Sequence, residues 1–191
     1  LFAKFAHPFA DYLVSPDVLA FERGKKNHIL YPGYHELSYL HPKRFSPDKS
    51  IYKRLGLEEN EKFFILRFNA FKAHHDIGAK GLSYKQKISL IDLLKSKGKV
   101  IITSESKISD EFAQYSFKLS PTEIFSALYY ATLFIGDSQT MTNEAAVLGT
   151  PSLRYNSFVG RISYLEEQEK KYKLAYGFKL NEFDKMISKI K

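Results

Sequence analysis

From about residue 60 onward, short runs of β-branched and aromatic residues alternate with segments of helical period, and no other feature constrains the fold of this chain so strongly. Such alternation marks βα units, in which each helix carries the chain back so that successive strands pair in parallel. FFILRF (Phe63–Phe68) reads as a strand, followed by a loop rich in His and Gly. A helix is expected from Tyr84 to Lys97, with Ile88, Leu90, Ile91 and Leu94 inward and Gly98 as its stop. KVIITS (Lys99–Ser104) is the next strand, and FKLS (Phe117–Ser120) a shorter one. It enters SPTE, where Ser120 can cap a helix, Pro121 takes its first position and Glu123 completes a capping box. The helix Thr122–Ala131, the strand LFIGDS (Leu133–Ser138), a short helix within TMTNEAAVLG and the strand PSLRY complete the pattern.

Upstream, ADYLVSP and NHILYPGY read as two strands, and SPDKSIYKRLGL as a capped helix leading into the main domain. The C-terminal stretch reads as helix, short strand and closing helix, its polar residues facing solvent. With 191 residues, 44% hydrophobic and 15% aromatic, the chain can bury a full core. It has no apolar run of the roughly 20 residues that a membrane span needs and no signal-peptide core, and zero Cys fits a reducing compartment. A cytoplasmic location is therefore expected. The opening LFAKFAHPFADYLVS reads as mid-protein sequence, so the chain is expected to be a fragment.

A net charge of +8 favours anionic partners in general. Much of it is Lys spread along Tyr84–Lys99 and Glu166–Lys173, where solvated helix faces are the plain explanation.

The block with most chemical content is IGDS followed at once by a short helix. It places free backbone N–H groups and the positive end of a helix dipole at the C-terminal edge of the sheet, where open α/β sheets bind phosphates. Ser138 and Thr140 can donate to phosphate oxygens there, and Glu144 falls within reach of a ribose diol. The competing interpretation is a Ser138 or Thr140 that merely caps the helix and a Glu144 at the surface.

GDSQTMTNEAAVLGTPSLR resembles the nucleotide-binding motif of the UDP-N-acetylglucosamine 2-epimerases: Asp-Ser-Gly-Gly-x-x-x-Glu-Ala, a Leu-Gly-x-Pro turn, then a strand ending in Arg. Asp137, Ser138, Glu144, Ala145, Leu148, Gly149, Pro151 and Arg154 keep that pattern. Gln139 and Thr140 depart from it, standing where the epimerases have a Gly pair. YPGYHELSYLHPKRFSPD and RFNAFKAHHDIGAKGLS extend the likeness to a prokaryotic family of unknown function related to these epimerases.

The resemblance implies an α/β fold, a Rossmann-like parallel sheet flanked by helices that forms the C-terminal half of a GT-B fold. It divides the chain into 1–45, a trailing segment of a missing N-terminal domain plus linker, and 46–191, a nucleotide-sugar-binding domain. It also implies UDP or a UDP-sugar as ligand and that missing domain as partner. Ser138 and the backbone of Gln139 and Thr140 would hold the diphosphate, Glu144 the ribose, and Arg154 would lie near the nucleotide. After the first strand of the core, His75 is the counterpart of a histidine that closes the epimerase cleft, with Arg67 and Asn69 beside it.

Adjacent His74, His75 and Asp76 make a poor metal set, and no metal or cofactor is expected. No acid/base pair, Gly-x-Ser-x-Gly elbow or Walker loop is present, so no catalytic residue is assigned and the chain is expected to be inactive alone. The function implied is the nucleotide-sugar domain of an epimerase or GT-B glycosyltransferase. The alternative is a non-enzymatic basic module for a polyanion such as nucleic acid, although no nucleic-acid-binding motif is visible.

Overall fold

The computed structural model describes residues 5–19, 27–68, 81–104 and 109–191. Near the start, β1 (Leu13–Pro16) and β2 (His28–Tyr31) pair in parallel as a separate two-stranded sheet, with Leu13 opposite His28. A short helix α1 (Leu37–Leu40) and α2 (Ser50–Arg54) lead into the main sheet. Its strands are β3 (Phe63–Phe68), β4 (Lys99–Ser104), β5 (Leu133–Gly136), β6 (Ser152–Tyr155) and β7 (Ala175–Phe178). They are connected by α3 (Tyr84–Lys95), α4 (Pro121–Tyr130), α5 (Gln139–Val147) and α6 (Ser163–Glu167), the last continuing as a π-helical turn over Gln168–Tyr172. The closing helix is α7 (Phe183–Ile190).

The five strands run in the order β4-β3-β5-β6-β7, and every neighbouring pair is parallel. Parallel sheets need cover on both faces, and the strand residues alternate between two cores accordingly. Phe64, Leu66, Val100, Ile102, Ile135, Leu153 and Tyr155 pack with α3 and α7. Phe63, Ile65, Ile101 and Phe134 pack with α2, α4 and α5 on the other face. The expected α/β architecture, a Rossmann-like parallel sheet flanked by helices, is thus present. Because β3 touches both β4 and β5, the connections leave in opposite directions at the β3/β5 boundary, and the crevice between their C-terminal ends is where such sheets take ligands.

Local signals explain the element starts. Ser120 Oγ accepts from the Glu123 N–H at 3.2 Å while the Glu123 carboxylate accepts from the Ser120 N–H at 2.7 Å, the expected capping box, with Pro121 first in the helix. A second box joins Ser83 and Gln86 at the start of α3. One expected strand is absent. Between Phe117 and Ser120 the backbone makes a single N–H···O contact to the sheet, Phe117 to Ile102 at 3.2 Å, beside one bridge at Ser116. The Phe117 ring turns instead into the α2/α4 core and beneath the Lys99 ammonium, 5.3 Å from its centroid, which draws the chain off the edge of β4. Strand β5 also ends at Gly136 rather than Ser138, because Ser138 already caps α5.

Candidate functional site

Register aligns one row of residues across the C-terminal end of the main sheet. Thr103 on β4 lies beside Arg67 on β3, Arg67 beside Gly136 on β5, Gly136 beside Arg154 on β6, and Arg154 beside Gly177 on β7. Residues in register on parallel strands share a face, and two-residue periodicity puts this row on the face covered by α4 and α5. A Cβ on Gly136 would stand 2.8 Å from the Arg67 carbonyl oxygen and 3.0 Å from the Arg67 Cβ, so only glycine fits between the two arginine-bearing strands. Gly177 is similarly confined, its notional Cβ lying 3.2 Å from Arg154 Nη2.

Arg154 is 2% exposed, and its Nη1 has no hydrogen-bond partner among the described residues. Burial lowers its pKa, opposed in order by Glu166, Tyr164 and Glu169, yet it forms no ion pair with the described residues. Guanidinium does not give up its proton in proteins, so it persists as a buried cation that Glu166 and Glu169 favour only from beyond ion-pair distance. Thr103 Oγ1, in the same row, is also buried without a partner among the described residues.

Next to this row is the start of α5. Ser138 is its N-cap, accepting from the Met141 N–H at a long 3.4 Å, while the Thr142 hydroxyl donates to the Ser138 carbonyl at 2.6 Å. Asn156 fixes the approach by donating from Nδ2 to the Asp137 carbonyl at 2.9 Å. Gln139 is half-buried and Thr140 exposed, leaving the first turn open on one side. The first N–H groups of a helix have no partner within it, and together they carry partial positive charge.

Glu144, one turn further along α5, is buried and not a surface residue. Its Oε1 accepts from the Tyr39 hydroxyl at 3.0 Å, and the Tyr39 ring packs on Phe125 with centroids 5.4 Å apart. Burial raises the Glu144 pKa; the Tyr39 hydrogen bond opposes this, Glu36 adds to it, and Arg67 opposes it. Of the residues expected at the site, Ser138, Gln139, Thr140, Glu144, Arg67 and Arg154 are therefore brought to one edge of the sheet. His75 and Asn69, with His74 and Asp76, lie outside the described residues. Sequence reasoning missed Tyr39, Glu36, Asn143 and Asn156. The Gln168 amide donates to Asn143 Oδ1 although Gln168 falls in a stretch expected to be a solvated helix face.

A family model described as "Protein of unknown function (DUF354)" matches residues 2–174. The chain belongs to this family. A search of curated proteins finds no match for this DUF354 member. Among solved structures it is similar to the wall teichoic acid polymerase TagF. One TagF variant, soaked with CDPG, is 16% identical with a TM-score of 0.42, over 80% of this chain and 41% of that one. Another is 16% identical with a TM-score of 0.45, over 94% of this chain and 48% of that one. The chain thus spans less than half the length of either structure. Among the described residues no helix is long and apolar enough to cross a membrane, and no three His, Asp or Glu come together as a metal site would require.

Proposed function

We propose that this chain carries the nucleotide-sugar site of a GT-B type epimerase or glycosyltransferase, with UDP or a UDP-sugar as ligand. The observation behind this reading is Arg154: a buried guanidinium with no ion pair among the described residues, in one row with Arg67 and beside the open first turn of α5. That arrangement suits a diphosphate, which would supply a direct ion-pair partner and accept from the Ser138, Gln139 and Thr140 region. Tyr39 donates to Glu144 Oε1, and the ribose hydroxyls would be taken by the same carboxylate through Oε2. The exposed first turn at Thr140 gives the ligand its way in.

Binding to the folded state alone raises its stability, by about 2.7 kcal/mol at a ligand concentration of 100 Kd. UDP and UDP-N-acetylglucosamine are expected to raise the melting temperature, with GDP and ADP giving a smaller rise at equal concentration. No shift with any of the four at millimolar concentration would overturn the reading.

A further inference from the structure

Between the two-stranded sheet and α5 lies a cleft of about 310 Å³, walled by β1 at Ser15, by Tyr31 and Tyr34, by Glu36, and by Asn143 and Tyr164 from the main domain. Small-molecule sites are concave, of a few hundred Å³, with a few converging polar groups. Three such groups converge here. Glu36 is 8% exposed, and its carboxylate takes part in no hydrogen bond or ion pair with the described residues. Asn143 is buried, with Oδ1 occupied by the Gln168 amide, which leaves its Nδ2 as a donor. Tyr164 adds a hydroxyl able to donate or accept.

The walls are held in place. Tyr34 donates to Glu167 Oε2 at 2.7 Å, and Ser15 Oγ lies 2.7 Å from His28 Nε2 across β1 and β2. Tyr164 feels the charges of both Glu36 and Arg154, and Asn143 immediately precedes Glu144 on α5.

Resting on the nucleotide-sugar reading above, we infer that this cleft is the sugar subsite, and that Glu36 determines its specificity by accepting hydrogen bonds from ring hydroxyls. A carboxylate acceptor, an amide donor and a phenol hydroxyl alternate there between tyrosine rings, which suits a polyhydroxylated ring with apolar C–H faces. A cationic occupant is disfavoured, since the Asn143 donor lines the cleft and the Arg154 charge reaches its Tyr164 wall. The ring would sit directly beyond the diphosphate held at Arg154.

The test is calorimetric titration of the wild-type chain and of Glu36→Gln with UDP and with UDP-N-acetylglucosamine. A buried hydrogen bond to a charged group corresponds to about tenfold or more in affinity. The wild type should therefore bind the sugar nucleotide about tenfold more tightly than UDP. Glu36→Gln should lose that advantage while its UDP affinity stays within about twofold, which also shows that the variant is folded. Tyr164→Phe, a deletion of one oxygen, should lose part of the advantage and serves if Glu36→Gln does not fold. If UDP binds but the sugar adds nothing in the wild type, or if the variants keep the full advantage, the subsite is overturned and the nucleotide site stands. If neither compound binds, the nucleotide-sugar reading falls and the subsite with it.

Discussion

Carboxylates in this protein titrate in opposite senses according to what surrounds them. Asp48, Glu123 and Glu182 have lowered pKa values, chiefly because of the Ser50 hydroxyl for Asp48 and of backbone N–H donors at Ser120 and Lys179 for the other two. Each contributes stability that is present above its ordinary pKa and lost as pH falls through the lowered one. Glu144 is the reverse. Its pKa is raised above the ordinary 4.5 by burial, so the folded state holds this proton more tightly than the unfolded chain, and stability declines as pH rises from about 4.5 through the raised value. Glu144→Gln keeps an acceptor for Tyr39 and removes the charge. Its melting temperature relative to wild type should be higher at pH 7 than at pH 4.5, by differential scanning calorimetry; an equal difference at both pH values would contradict the burial argument. At this scale the Asp-Ser, Glu and Arg positions were named through the resemblance to the epimerase motif, and the fold brings them to one edge of the sheet. The sequence did not reveal Tyr39, which reaches Glu144 from 105 residues away, because hydrophobic periodicity carries no trace of such a pairing.

Among the elements, β5 joins the fold to the site. It ends in Gly136, wedged against the backbone of Arg67, and passes through Asp137 into the cap of α5. Gly136→Ala would push a Cβ into the Arg67 carbonyl, an atom that moves only if β3 moves. It should cost about 1–3 kcal/mol in chemical denaturation and weaken UDP binding by displacing Arg67. A loss below about 0.5 kcal/mol would show that the strands can separate without strain. Element starts were legible where chemistry marks them, as at Ser120-Pro121-Thr122-Glu123. The Ser83–Gln86 box has an equally plain spacing and could have been read the same way. Four residues such as FKLS carry too little pattern to distinguish an edge strand from a core-seeking Phe117, and there the tertiary pull decided.

For the whole molecule, alternation of strand and helix signals was enough to set a parallel sheet with helices on both faces, since few topologies satisfy short right-handed connections. The arrangement of β1, β2 and α1 against α5 was not legible. It depends on long-range contacts such as Tyr34 with Glu167 and Tyr39 with Glu144. Among the described residues Arg154 is a buried cation with no ion pair, which is costly for stability, and the proposed ligand anion would offset that cost. The most direct test compares the melting temperatures of wild type and Arg154→Met, each with and without UDP. Replacing a buried charge by an apolar side chain of similar length should leave the free protein as stable or more so, by up to about 4 kcal/mol, and abolish the UDP-induced rise seen in wild type. A variant that retains the rise, or that is destabilised like an ordinary core deletion, would contradict the assignment of Arg154 to a bound anion.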